Sequence, residues 1–367
     1  MNRLPGLDLL RAIAIVWVML FHSWIVGGMG GPFQIVADYG WMGVDLFFVL
    51  SGYLIGYQLL RPLSQRRPLG FGEFYRRRAY RILPAFVVVL AVYAWFPAWR
   101  EAPGMQPVWQ FLSFTLNLLI DIQHNHNEAF SHAWSLCVEE QFYLVFPTLA
   151  WLLTRRPSWA VTLCLGGVMV VSGMLIRAYA SLHGLDYLES IYYPTYSRLD
   201  GLLAGVALAT LHAYRPQAWQ WLQSHANRVA VIGLAVIGAA IWLFRDRLAF
   251  IPSVWGFPLL SLGLALLVAA GAGRHSYGRW QIPGARWLAA LSYSLYLSHK
   301  LAMHAVEGWL ALHPAVHGWQ AFALYACAVL ILGSLLHYGV ERPFLRLRDR
   351  RAAVRSQPLD QVDVAPG

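Results

Sequence analysis

Long apolar runs alternate with short segments that hold most of the charge. Ten runs read as membrane spans: 9–26, 41–60, 82–99, 134–153, 159–179, 198–213, 229–244, 255–272, 286–305 and 318–340. A helix needs about 20 apolar residues to cross a bilayer, and the shorter runs fit with tilt or local thinning. A further apolar stretch, 105–120, is broken by Pro103 and Pro107 and reads as an outer loop or re-entrant piece. The pattern predicts an all-α fold, a polytopic transmembrane helix bundle of about ten spans over 1–345. A basic, then disordered, cytoplasmic tail is expected over 346–367.

Composition agrees. The 367 residues are 58% hydrophobic and 13% charged, against about 25% charged in soluble domains. Mean hydropathy is +0.48. The net charge is +10, and a basic protein can bind nucleic acid. Here, however, the arginines sit at the ends of apolar runs, which makes them a topology signal and leaves no nucleic-acid partner expected. Seven Arg lie in 61–81, two in 154–158, two around 214–228, three in 273–286 and six in 342–355. The intervening loops hold none in 27–40, one in 100–133, two in 245–254 and none in 306–317. The positive-inside rule then puts both termini in the cytoplasm and favours an even span number.

The first run follows Arg3 and contains Arg11, with no small-x-small cleavage site, so it reads as a retained signal anchor. No internal repeat stands out, and no appended soluble domain is expected. Cys137, Cys164 and Cys327 all fall in apolar runs and read as buried inert thiols.

Ionisable residues inside the runs are the candidate chemistry, because each is costly in a membrane. Arg11 and His22 share the first span; as a helix, it places them ~16 Å apart and ~20° off one face. Asp45 lies near the outer end of the second span, Glu139 and Glu140 in the outer part of the fourth, and Arg198 and Asp200 at the outer end of the sixth. His299 and Lys300 lie toward the outer end of the ninth. Together they predict one polar layer in the outer half of the membrane. Asp45 and Arg198 also read as a structural ion pair. Neighbouring Glu139 and Glu140 point ~100° apart, so at most one faces the centre squarely.

Arg78 and Arg81 lie on one helical face on the cytoplasmic side. Such a cluster lies on anionic lipid, or takes phosphate oxygens bidentately. His124, Asn125, His126 and His132 match no standard metal spacing and read as a solvated loop, and Gly27 to Gly31 reads as a flexible turn.

Several stretches resemble the acyltransferase-3 family of polytopic membrane O-acyltransferases. Leu7-Asp8-Leu9-Leu10-Arg11-Ala12 with His22 is like the family's Arg-x10-His. The run from Gly43-Val44-Asp45 to Ser51-Gly52-Tyr53-Leu54-Ile55, the run from Phe74-Tyr75-Arg76 to Arg81-Ile82-Leu83-Pro84 (like its Arg-x-x-Arg) and the run from Trp134-Ser135-Leu136 to Glu139-Glu140-Gln141-Phe142-Tyr143 follow in family order. Weaker echoes are Ser197-Arg198-Leu199-Asp200-Gly201, the run Ser292 to His299, and Glu341-Arg342-Pro343-Phe344.

The resemblance implies a multi-pass protein of the bacterial cytoplasmic (inner) membrane. It would move an acyl group, usually acetyl, from cytoplasmic acyl-CoA to a hydroxyl of a glycan, glycosylated lipid or glycosylated natural product. On that reading His22 is the base, and Glu139 or Glu140 orients His22 or holds a sugar hydroxyl. Arg78 and Arg81, with Arg11, hold the phosphates of CoA, while Asp45, Arg198, Asp200 and His299 contact the acceptor. The bilayer, acyl-CoA and a carbohydrate or glycoconjugate are the expected partners, and no metal is expected. A proton-coupled transporter, which also places His, Asp and Glu in mid-membrane, is the alternative.

Overall fold

The computed structural model describes residues 4–28, 31, 33–123, 126–155, 159–273 and 275–355. Pro5 opens α1 (Pro5–His22) at a position whose N–H would be unpaired anyway, and Asp8 sits in the first turn, where the helix dipole favours an acid. Then come α2 (Met42–Ser64), α3 (Phe71–Trp95), α4 (Trp134–Arg155), α5 (Trp159–Leu182) and α6 (Asp200–Tyr214). The chain continues through α7 (Ala226–Leu243), α8 (Phe257–Gly271), α9 (Ala285–Leu312), α10 (Trp319–Leu336) and α11 (Arg342–Arg355). Among the described residues there is no strand. Each of the ten expected runs falls on one of α1 to α10.

Among the described residues, eight helical segments are long and apolar enough to cross a membrane. α6 and α9 are the two outside that set. The 15 residues of α6 span ~22 Å, short of a hydrocarbon core of about 30 Å. α9 has the length, but serines, tyrosines, histidines and Lys300 run through it. The stretch 105–120 forms two short helices, Val108–Leu112 and Leu116–Leu119. Asn117 moors the second: its amide donates to the Tyr193 carbonyl (3.2 Å) and Thr195 Oγ1 (2.8 Å), and its Oδ1 accepts from Gln141 (2.9 Å).

α2 is central, with 78% of its apolar window buried against 11% for α5. α5 turns Val161, Leu163, Val168 and Leu175 outward, a face that hydrocarbon covers without cost. Glycines let α2 and α6 touch backbone to backbone. A Cβ on Gly52 would stand 2.1 Å from the Leu202 carbonyl oxygen, and one on Gly205 2.2 Å from that of Val49. Small residues permit this close approach in membranes. Gly205→Ala is therefore expected to destabilise the fold by about 1–3 kcal/mol, read as a lower thermal unfolding midpoint in detergent. Gly238→Ala, whose Cβ meets nothing, should not lower it.

Among the described residues, three π turns interrupt the regular ladders: Leu188–Tyr192, Pro252–Gly256 and His337–Glu341. Each supplies a buried polar contact. The Tyr192 carbonyl receives Arg198, the Val254 carbonyl receives Arg177, and His337 bonds Glu341. Wider turns of this kind free groups that a regular helix would occupy.

Candidate active site

Glu73 decides which arginines of the 76–81 run face inward. It pairs with Arg76 and, at 2.6 Å, with Arg77, holding both on the outer side of α3. Arg78 and Arg81 instead line a cavity of about 110 Å³ together with Arg11, Ser51, Glu139 and Tyr143. Glu139 Oε2 accepts from Tyr143 Oη at 2.6 Å and from Ser51 Oγ at 3.2 Å, and Ser51 also bonds Tyr143 directly. The Arg78 guanidinium lies 4.5 Å from the Tyr143 ring centroid. Glu139 thus joins the arginines of α1 and α3, and its bonded partners are not His22. Glu140, one residue on and turned away, is outside this lining and keeps a buried oxygen, Oε1, without a partner.

Arg11 and Arg81 also line a second, wider cavity of about 770 Å³, with Arg286, Trp287, Tyr338, Arg342 and Arg348. They therefore stand at the neck where the narrow cavity meets this vestibule. Glu341 lines it as well, already engaged by Ser294 Oγ and His337 Nδ1, both at 2.8 Å.

His22 lies elsewhere, in a cluster of imidazoles at the far end of α1. The His299 ring centroid is 4.7 Å from that of His22 and 4.7 Å from that of His132. A carbonyl oxygen can only accept, so the nitrogen facing it carries the proton of each neutral ring. His22 Nδ1 donates to Val18 (2.9 Å), His299 Nδ1 to Tyr296 (2.6 Å) and His132 Nε2 to Leu297 (3.2 Å). That leaves lone pairs on His22 Nε2, His299 Nε2 and His132 Nδ1, the last two buried without a partner. Lys300 stands beside the cluster, donating to Ser131 Oγ at 3.2 Å and lying 3.5 Å from Glu101 Oε1.

Tyr296 and Ser135 separate the cluster from the arginine cavity. Both line that cavity. Tyr296 Oη donates to the His132 carbonyl at 2.8 Å and is 2.6 Å from Ser135 Oγ.

The remaining expected site residues are tied up in two buried ion pairs. Arg198 Nη2 bonds Asp45 Oδ1 at 2.7 Å, under the rings of Tyr192 and Phe257 at 4.4 and 4.2 Å. Arg177 grips both oxygens of Asp200, at 2.7 and 3.2 Å, and the carbonyls of Ser197 and Val254. The polar residues expected at one depth therefore fall into separate groups rather than one shared pocket. Depth along a span says nothing of which helix face meets which neighbour.

Sequence reasoning missed Arg177, Glu101 and the burial of His132. His132 was expected in a solvated loop, yet it is 4% exposed because the turn Ser131–Ala133 tucks it under α9. His124 and Asn125 lie outside the described residues. Cys164 and Cys327 are exposed on the outer face, and only Cys137 is buried. Among the described residues, no three His, Cys, Asp or Glu side chains are placed to hold a metal ion.

A helix bundle with cationic cavities and free imidazole lone pairs is an integral membrane protein equipped for group transfer. The chain belongs to the acyltransferase family, with residues 4–338 matching its model, described as an acyltransferase domain. It is similar to "Putative O-acetyltransferase" of Staphylococcus aureus (strain COL), 31% identical over 374 residues, covering 94% of this chain and 58% of that protein. It is also similar to O-acetyltransferase OatA of Staphylococcus aureus (strain NCTC 8325), 28% identical over 322 residues, covering 81% and 50%. The chain thus spans about half the length of the curated relatives it matches. No solved structure matches it.

Proposed function

We propose that the chain moves an acyl group, most simply acetyl, from cytoplasmic acyl-CoA to a hydroxyl of a glycan, glycosylated lipid or glycosylated natural product. One observation carries this reading: α1 bears an arginine of the cavity neck, Arg11, and, eleven residues on at its C-terminal end, an imidazole with a free lone pair. They lie ~16 Å apart along the axis, which suits a long pantetheine arm. The names of the relatives, O-acetyltransferases, favour acetyl and an oxygen acceptor.

In this reading the arginines of the neck hold the donor phosphates and the narrow cavity admits the arm. The thioester arrives at Tyr296, whose ring is 5.7 Å from both His132 and His299. His22 Nε2 takes the proton of the acceptor hydroxyl as its oxygen attacks the thioester carbonyl. The C–S bond breaks, the ester forms, and the proton passes to the departing thiolate. Glu139 fixes Ser51 and Tyr143 in the cavity wall and acts as a positioning residue for the donor. Asp45, Arg198 and Asp200 hold the bundle together, and Lys300 and the other imidazoles face the acceptor.

The test is transfer from labelled acetyl-CoA by purified protein in liposomes without any ion gradient, read as labelled ester or as slow hydrolysis. Solute uptake driven by a proton gradient, with acetyl-CoA untouched, would support a transporter instead. Mass increments on surface and secreted glycans, compared with and without the protein, identify the acceptor.

By the positive-inside rule, the arginine asymmetry supports a reading with both termini and the vestibule in the cytoplasm. Reporter fusions after Arg61, Arg155 and Arg342 are expected to read cytoplasmic, and one after Arg100 external. An external signal after Arg342 would overturn the ten-span topology.

A further inference from the structure

We propose that the vestibule is a subsite for the 3′-phosphoadenosine end of the donor, so that the protein distinguishes CoA from dephospho-CoA. The proposal rests on the acyl-CoA reading above. The narrow cavity, at about 110 Å³, has room for a slim arm and not for a nucleotide. The vestibule, at about 770 Å³, falls in the range of small-molecule sites.

Its lining is cationic and aromatic. Arg286 opens α9 and Arg342 opens α11, away from the Arg78–Arg81 run. Of the two acids present, Glu341 is engaged by Ser294 and His337, and Asp8 is one turn from Arg11 on α1. Arg348 is shared with Asp349 at 2.8 Å, which leaves Arg286 and Arg342 as the stronger anion holders. Trp287 Nε1 donates to Tyr338 Oη at 3.1 Å, and the Arg342 guanidinium lies 5.3 Å from the Tyr338 ring centroid. Trp287 and Tyr338 remain 40% and 45% exposed, so ring surface is open to a ligand.

A planar base, a phosphate monoester and a pyrophosphate in sequence fit this arrangement. Adenine lies against the Trp287–Tyr338 pair. The 3′-phosphate meets Arg286 and Arg342, whose forks match its oxygens. The pyrophosphate reaches Arg11 and Arg81 at the neck.

The experiment is displacement of labelled acetyl-CoA from the full chain in nanodiscs by CoA, dephospho-CoA and adenosine 3′,5′-bisphosphate. CoA is expected to bind at least about tenfold more tightly than dephospho-CoA, the effect of one charge-assisted contact. The bisphosphate is expected to compete although it lacks the arm. Arg286→Gln with Arg342→Gln should remove most of the ratio between CoA and dephospho-CoA while dephospho-CoA affinity stays within about twofold. That retained affinity also shows the variant is folded. Arg342→Lys alone should keep part of the ratio. Equal affinities for CoA and dephospho-CoA in the parent protein, or an unchanged ratio in the double variant, would overturn the subsite and leave the donor reading intact. Binding of none of the three compounds would overturn both.

Discussion

His22→Ala is expected to lower turnover by about 10²- to 10⁴-fold, the usual contribution of a general base, while acyl-CoA affinity stays near the parent value. The ring is oriented by Val18 on its own helix, so truncation removes the lone pair without unmooring another element. Arg11 lies eleven residues earlier on α1, and Arg78 and Arg81 lie on α3, so the proposed donor site keeps its surroundings. Saturating acyl-CoA therefore should not restore the rate, because the loss lies in the chemical step. Single-turnover transfer from labelled acetyl-CoA, alongside donor binding, measures both quantities. Near-parent turnover would take His22 out of the mechanism.

The second large effect concerns stability. Asp200→Ala strands the Arg177 guanidinium, which is 0% exposed and bonded to both oxygens of that carboxylate. Removing one partner of a buried pair costs about 3–5 kcal/mol, because the other charge stays desolvated. The variant is expected to lose most folded protein, read by fluorescence-detected size exclusion and thermal unfolding in detergent. Arg177→Met combined with Asp200→Leu should recover much of that loss, since replacing both charges by apolar groups is often neutral. The exposed pair Arg77–Glu73 gives the contrast: Arg77→Ala should change stability by less than about 1 kcal/mol. A double variant no more stable than Asp200→Ala alone would mean that the carbonyl contacts of Arg177, to Ser197 and Val254, matter more than the ion pair.

The helices were legible because hydrophobic length and arginine placement are local properties. Arg11 and His22 do share one unbroken helix, as a 3.6-residue period requires. The pairing of Arg198 with Asp45 could be anticipated, since two opposite charges buried at similar depth have few other partners. Arg177 could not: two residues from the end of the run 159–179, it looks like any interfacial arginine until α6 is docked against α5. Glu139 was legible as a polar intruder but not by partner, because Ser51 and Arg78 come from α2 and α3. The loop residues were least readable. His132 owes its burial to tertiary contact with Leu297 and Tyr296, and no periodicity marks that.

The hydroxyl pair of Tyr296 and Ser135 has an electrical consequence. If the two substrates meet from opposite sides of the membrane, as the proposed function has it, polar chambers lie above and below a thin partition. A continuous file of water between them would conduct protons and discharge the cell. Tyr296 commits its only hydroxyl proton to the His132 carbonyl, and Ser135 can give its own to the Tyr296 oxygen. In that arrangement both hydroxyl protons are engaged, and the rings of Phe48 and Trp134 pack edge to face at 5.9 Å. The expected consequence is insulation: a Tyr296→Ala variant should show proton flux in liposomes without any substrate, and an unchanged flux would leave the pair with no such role.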